Sequence, residues 1–333
     1  MIRYYLKYRC FKMSSNSDKW LRLCFEPKEL QLKGTLNGGQ SFRWKQIDSE
    51  WIGVFNSKLW RIKQYEHGIE FKVYTSNDDE PLVKKQKIIE SSCSTDIESI
   101  KELRDYFQLD FNLREHYTQW CKADELFNSV ANDFYGIRML KQEVLENIFS
   151  FICSSNNHIS RISSMVEKLA IFYGKEICSY NGSTYYAFPT IEALNQDGVE
   201  TKLRDNGFGY RAKYIANTAK IIAEKGGNKW ITALQAMPYK EAKSELMTLT
   251  GVGAKVADCI CLMSLAHTSA IPVDTHVYQI ARHYISDMPK QKTVTDKLYQ
   301  RIGDHFRKLY GPSAGWAQTV LFCADLKKFQ ARD

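Results

Sequence analysis

The sequence predicts an α+β protein in which an N-terminal antiparallel β-sheet domain is followed by a larger, mainly helical domain. Three observations carry this. Residues 21–75 hold stretches rich in aromatic and β-branched residues that partly alternate, SFRWKQI at 41–47, WIGVF at 51–55 and IEFKVYT at 69–75. Between them stand turn-forming residues, Asn37-Gly38-Gly39, Asp48-Ser49 and His67-Gly68. From about residue 97 the apolar residues recur with a helical period instead.

The elements follow in order. Residues 1–18 form a basic tail, and residues 19–140 the sheet domain. A polar insertion at 76–98, with one proline and mixed charges, reads as a long or disordered loop. Helices are expected at 98–107, 123–135, 143–154, 159–173, 211–225, 239–249, 254–266, 275–285, 294–310 and 313–325, those from 141 to 333 making the helical domain. No internal repeat is visible.

Bulk properties narrow the classes. The 333 residues are 44% apolar and 25% charged, an ordinary globular composition. Apolar runs are short, such as Ile260 to Met263, far below the roughly 18 residues of a membrane span. The net charge of +8 favours an anionic partner without naming one. The nine cysteines are odd in number and follow no signal peptide, which points to free thiols. There is no CxxC pair for a zinc ribbon and no closely spaced four-cysteine run for an iron–sulfur cluster. The first 17 residues hold four basic residues and no acid. They are similar to a mitochondrial presequence, the alternatives being a plain tail or a start at Met13.

The most informative stretch is LTGVGAKVADCICLM at 249–263. Gly251 and Gly253 flank one small apolar residue, and a helix follows. Glycines allow a tight turn and close approach, and the free N–H groups of the next helix attract an anion such as a DNA phosphate. An ordinary glycine-rich helix connection fits the same letters. On the helix, Lys255, Cys259 and Met263 share one face at i, i+4 and i+8. A lysine on an otherwise apolar helix is partly desolvated, which favours the neutral, nucleophilic amine. Nineteen residues on, in AIPVDTH, Asp274 follows a proline and stands where it caps the helix that begins at Thr275. A plain N-cap is compatible with a charge that faces a cleft.

GVGAKVAD followed by PVD resembles the helix-hairpin-helix–Gly/Pro–Asp superfamily of DNA glycosylases. Three further blocks, GQSFRW at 39–44, FICSSNNHISRI at 151–162 and GPSAGWAQTVLFCADL at 311–326, with GFGYRAKY at 207–214 between, resemble the eukaryotic 8-oxoguanine DNA glycosylase/lyase. The resemblance runs from about residue 20 to 328. It implies a sheet like that of the TATA-binding protein, double-stranded DNA with 8-oxoguanine opposite cytosine as partner, and no required cofactor or iron–sulfur cluster. It also implies a nuclear location, with mitochondria as a second; a monomer is expected because no apolar heptad or exposed stripe suggests a dimer.

The resemblance also distributes roles. Lys255 is the nucleophile and Asp274 stabilises charge on the sugar. Phe322 and Cys259 stack on the two faces of the flipped purine, with Met263 beside them, although Phe322 fits the core of an apolar helix equally well. Gln318, one helical turn before Phe322, meets the Watson–Crick edge with an amide that both donates and accepts. The carbonyl of Gly39 senses the N7 proton that only 8-oxoguanine carries. An ionised Lys255–Cys259 pair would add a dipole opposed to that of the lesion. Asn156, Arg161 and Arg211 hold the orphaned cytosine beside the wedge Tyr210, where solvated helix charges are the alternative for the two arginines. His276 and the backbone amides of Gly251, Gly253 and Val256 hold phosphates, and carbonyls of Met247, Leu249 and Val252 hold a structural cation. Three features depart from the family pattern: His158 stands where an asparagine is usual, the 76–98 insertion has no counterpart, and the segment after Tyr284 is short. Two other readings compete, a glycosylase for alkylated purines and a DNA-binding module without catalysis. Gln318, Phe322 and Gly39 speak against the first, and the Lys255/Asp274 pair against the second.

Overall fold

The computed structural model describes residues 20–76, 88–289 and 294–330. The expected basic tail therefore lies outside the described residues, as do residues 77–87 of the expected loop and residues 290–293 of the segment after Tyr284. Five strands, β1 (Leu21–Cys24), β2 (Trp44–Ile47), β3 (Glu50–Phe55), β4 (Lys58–Tyr65) and β5 (Gly68–Tyr74), form an antiparallel sheet in the order β1-β5-β4-β3-β2. A short helix, α1 (Leu32–Leu36), precedes the loop to β2. The β3–β4 hairpin pairs Phe55 with Lys58, so its turn is Asn56-Ser57. Both turn residues have positive φ, 49° and 53°, the mirror-image turn whose twist matches the strands.

Side chains alternate across this sheet as the two-residue period requires. Trp51, Phe55, Trp60, Ile62 and Phe71 fill one core with Leu103, Tyr106 and Phe107 of α2 (Ile88–Tyr106) and its C-terminal turn. Ile52, Val54 and Leu59 face the other way, against Ile177 and Ala187. Ile177 belongs to, and Ala187 directly follows, a hairpin of β6 (Glu176–Tyr180) and β7 (Ser183–Tyr186) that was not expected. The sheet is thus covered on both faces.

The expected loop at 76–98 is corrected in its second half. Residues 88–98 are helical, being the start of α2. The buried face of Ser99, Leu103 and Phe107 docks on the sheet, and once that turn is fixed the helix extends backward at little cost. Several residues before the boundary expected at 140 also pack into the helical core. Leu113, Trp120, Phe127, Val130, Ile137 and Met139 belong to the core of the helical part. They come from α3 (Leu113–Ala123), α4 (Glu125–Ala131) and the strand-like link that follows, where one helix over 123–135 was expected.

The remaining helices are α5 (Val144–Ser154), α6 (Ile159–Tyr173), α7 (Ile191–Leu194), α8 (Val199–Leu203), α9 (Arg211–Glu224), α10 (Asn228–Ala236), α11 (Tyr239–Leu246), α12 (Ala254–Ser264), α13 (Thr275–Ala281), α14 (Asp296–Tyr310) and α15 (Ala314–Gln330). Of these, α7, α8 and α10 were not expected. Helix α5 packs along α12, and Asn147 Nδ2 donates to Ser264 Oγ at 2.7 Å where the two meet. Helices α13 and α14 pack on α15. No described helix is long and apolar enough to cross a membrane.

Candidate active site and nucleic-acid interface

Four helices and one loop converge on a single small pocket. Helix α5 contributes Phe151, and α12 contributes Lys255, Cys259, Leu262 and Met263. The start of α13 contributes Asp274 and Val277, with Pro272 before it. Helix α15 contributes Gln318, Thr319 and Phe322, and the loop before β2 contributes Gly38 and Gly39. Every residue assigned to catalysis or to the flipped base is therefore here: Lys255, Asp274, Gly39, Cys259, Met263, Gln318 and Phe322. Phe151 was missed. Helix α5 is buried along most of its length, so the Phe151 ring has no sequence signal that separates it from core, yet Lys255 Nζ stands 4.9 Å from its centroid.

The loop that carries Gly39 is fixed from two sides. Gln40 donates to the Arg138 carbonyl at 2.9 Å and accepts from Leu140 N–H at 2.9 Å. Gly39 itself has φ of +71°, a conformation that costs a side-chain-bearing residue roughly 1–2 kcal/mol. A Cβ there would lie 3.6 Å from the Phe322 ring. The Phe322 ring thus rests against the Gly39 backbone, edge-on to His276 at 5.4 Å between centroids. His276 Nδ1 in turn meets Asp325 Oδ2 at 2.8 Å. The pocket volume is about 50 Å³, room for one or two waters at ~30 Å³ each and too little for a purine.

Burial pushes the Cys259 thiol up to about 11, with Lys255 pulling the other way. Asp274 is the N-cap of α13, its Oδ1 accepting Val277 N–H at 2.9 Å. The capping role and the place in the pocket coexist.

The second predicted group gathers round one carbonyl at the end of α5. Ser155 O accepts from Tyr210 Oη at 3.0 Å, from Arg211 Nε at 3.1 Å and from Arg211 Nη2. Arg211 Nη2 also donates to Asn156 O at 3.0 Å. Arg211 is only 3% exposed, so the solvated-charge alternative fails for it; its fork holds the loop that presents Asn156. Asn156 takes a left-handed φ of +46° at the loop apex. Tyr210 is 45% exposed, with the Arg211 guanidinium 4.6 Å from its ring centroid. Arg161 is exposed, and donates to Gly207 O at 3.2 Å.

The helix–turn–helix of α11 and α12 adjoins this group. Ser155, Tyr210, Tyr214, Gly251, Val252 and Gly253 share one open surface hollow. Gly251 has φ of +84° and a Cβ there would strike the Tyr214 ring at 2.6 Å. Gly253 is the N-cap of α12 and offers no side chain to the first-turn amides, which include that of Val256. A Cβ at Gly253 meets nothing within 4 Å, so the amides open toward solvent. The hollow uses the turn before α12 through Gly251, Val252 and Gly253, and the pocket uses the helix itself through Lys255, Cys259 and Met263.

Comparison with known proteins agrees with this geometry. Residues 22–148 match the 8-oxoguanine DNA glycosylase N-terminal domain, and residues 149–304 the HhH-GPD superfamily of base excision DNA repair proteins. The N-glycosylase/DNA lyase OGG1 of Arabidopsis thaliana is 36% identical, over 94% of this chain and 82% of its own length. The N-glycosylase/DNA lyase of Saccharomyces cerevisiae is 35% identical, over 93% of this chain and 87% of its own. A crystal structure of the Clostridium acetobutylicum 8-oxoguanine glycosylase/lyase, in complex with double-stranded DNA containing cytosine opposite 8-oxoguanine, superposes with a TM-score of 0.74 at 26% identity, covering 94% of this chain and 99% of that one. With both domains matched and relatives this similar over nearly their full length, the chain belongs to the bifunctional N-glycosylase/DNA lyase family of the HhH-GPD superfamily.

Proposed function

We propose that the protein binds double-stranded DNA as a monomer, extrudes 8-oxoguanine paired with cytosine, and removes it through a Schiff base on Lys255. The observation that carries this is the convergence of Lys255, Asp274, Cys259, Gln318, Phe322 and Gly39 on one pocket. The family match and the DNA-bound relative support it.

The neutral Lys255 amine attacks C1′ while the N-glycosidic bond breaks and its electron pair leaves with the base. The Asp274 carboxylate faces the positive charge that develops on the sugar. After ring opening the amine is an imine on C1′, and loss of a C2′ proton expels the 3′ phosphate, nicking the strand. Phe322 and Cys259 hold the two faces of the base, Gln318 reads its polar edge, and Gly39 O accepts the N7 proton. Guanine would press a lone pair against that carbonyl, a buried failure that costs about 1–3 kcal/mol.

The rest of the surface holds the duplex. First-turn amides of α12 at Gly253 and Val256, with Gly251 and His276, contact phosphates, and Tyr210, Asn156, Arg161 and Arg211 fill the vacated stack and face the cytosine. Carbonyls of Met247, Leu249 and Val252 ring the hairpin turn. Leu249 O accepts Val252 N–H at 3.2 Å and keeps a second lone pair, so this hard-oxygen set suits a cation that stiffens the turn. No step of the chemistry runs through it. The basic chain and its DNA-acting family support a nuclear location, with mitochondria as a second proposed site.

Borohydride trapping tests the reading on a labelled duplex with 8-oxoguanine opposite cytosine, an undamaged control, and Lys255→Gln. A covalent band from the unsubstituted protein alone, on the lesion duplex alone, is expected. Base release without a band would mean water is the nucleophile, and neither band nor release would mean another lesion.

A further inference from the structure

Three residues beyond Lys255, helix α12 buries a carboxylate that does not line the pocket. Asp258 is 1% exposed. A carboxylate so placed persists only with compensating donors, and Asp258 has three. Lys243 Nζ donates to Oδ2 at 2.7 Å, Tyr239 Oη to Oδ1 at 2.6 Å and Tyr299 Oη to Oδ2 at 2.6 Å. Tyr239 and Lys243 come from α11, and Tyr299 from α14.

The Tyr299 hydroxyl has a second partner. It accepts Val273 N–H at 3.2 Å, the amide next to Asp274. Ile271 O also lies 3.2 Å from it, but a hydroxyl has one proton and the shorter contact to a charged oxygen takes it. Burial, reinforced by the Asp258 charge, raises the Tyr299 phenol far above its ordinary value, so it remains a donor. A continuous path therefore runs from the helix of Lys255 through Asp258 and Tyr299 to the backbone beside Asp274. The covalent route between the two is a nine-residue loop, 265–273, with little regular structure.

We infer that Asp258 and Tyr299 are positioning residues that set the distance between Lys255 and Asp274. The inference rests on the proposed roles of those two groups. Neither Asp258 nor Tyr299 touches the base. Their effect is to stop the loop before Asp274 from drifting relative to the nucleophile's helix, where a shift of about 1 Å is enough to cost up to 10²-fold in rate.

The test uses the full chain in single-turnover excision from an 8-oxoguanine:cytosine duplex, alongside equilibrium binding to a duplex with a tetrahydrofuran abasic analogue. Tyr299→Phe keeps the ring that packs 4.8 Å from Lys243 Nζ and removes only the link. It is expected to slow excision roughly tenfold while the dissociation constant stays within about twofold. Lys243→Met/Asp258→Leu replaces the ion pair with apolar groups of similar size, a change that buried pairs often tolerate. It breaks the link from the other end and is expected to give the same split, so the inference does not depend on one variant folding. Excision within about twofold of the unsubstituted protein, or parallel losses of rate and binding, in either folded variant would overturn it. Failure of the unsubstituted protein to excise 8-oxoguanine would instead overturn the reading on which it rests.

Discussion

The Asp274 carboxylate accepts the Val277 amide at 2.9 Å while it lines the pocket beside Lys255. One side chain both starts a helix and, in the proposed mechanism, carries the charge that faces the sugar. The two duties are separable by substitution. Asparagine caps helices about as well as aspartate, whereas alanine loses about 1 kcal/mol. Asp274→Asn should therefore melt near the unsubstituted protein yet excise 10²–10³-fold more slowly, the usual loss for a group that stabilises transition-state charge. Asp274→Ala should lose both. Thermal melts and single-turnover rates measured side by side check this, and a full excision rate in Asp274→Asn would remove the charge from the mechanism.

In the proposed reading the Phe322 ring, which lines the pocket, stacks on one face of the flipped base. Phe322→Ala loses a stacking partner worth about 1–3 kcal/mol, or roughly 5- to 150-fold in excision of 8-oxoguanine. A preformed abasic duplex has no base to stack. Borohydride trapping on that duplex should stay within about threefold. Equal losses on both substrates would mean that Phe322 supports the pocket wall and not the base.

Much of this site was legible in the sequence because its parts are local. Lys255, Cys259 and Met263 share a face through helical spacing, and Asp274 announces itself as a cap after Pro272. Gln318 and Phe322 are one turn apart, although α15 is apolar enough that a core role fits Phe322 equally. What was not legible depends on distant pairing. Asp258 finds its partners 15, 19 and 41 residues away, and nothing local marks it. Helix 88–98 is held through its docked continuation and not by its own polar pattern. The β6–β7 hairpin is a different case, since Asn181-Gly182, both at positive φ, is a mirror-turn signal that was there to be used.

Arg211 gives a prediction about the loop proposed to face the opposite base. Its guanidinium is buried and bonded to the carbonyls of Ser155 and Asn156. Arg211→Lys supplies one charge but not a planar fork, so it should not restore the geometry. Both Arg211→Ala and Arg211→Lys should flatten the preference for cytosine over other bases opposite the lesion. Excision rates against all four opposite bases check this. An unchanged preference in Arg211→Lys would assign the discrimination to Asn156 and Arg161 alone.

Glu146 offers a test of electrostatics away from the pocket. Burial pushes its carboxyl up to about 7, against the pull of Arg43, whose Nη1 lies 3.8 Å from Oε2. A group that binds its proton more tightly when folded adds stability fully present below the unfolded value of about 4.3 and lost as pH rises through the folded value. Stability from this group should therefore fall between about pH 4.5 and 7. Glu146→Gln cannot ionise, so its melting temperature should gain on that of the unsubstituted protein as pH rises across this window. Any constant cost from the loosened Arg43 contact shifts the difference without changing its slope. Melts of both proteins from pH 5 to 8 decide it: a difference that stays flat would mean that Glu146 is already ionised in the fold, held by Arg43 more strongly than burial opposes it.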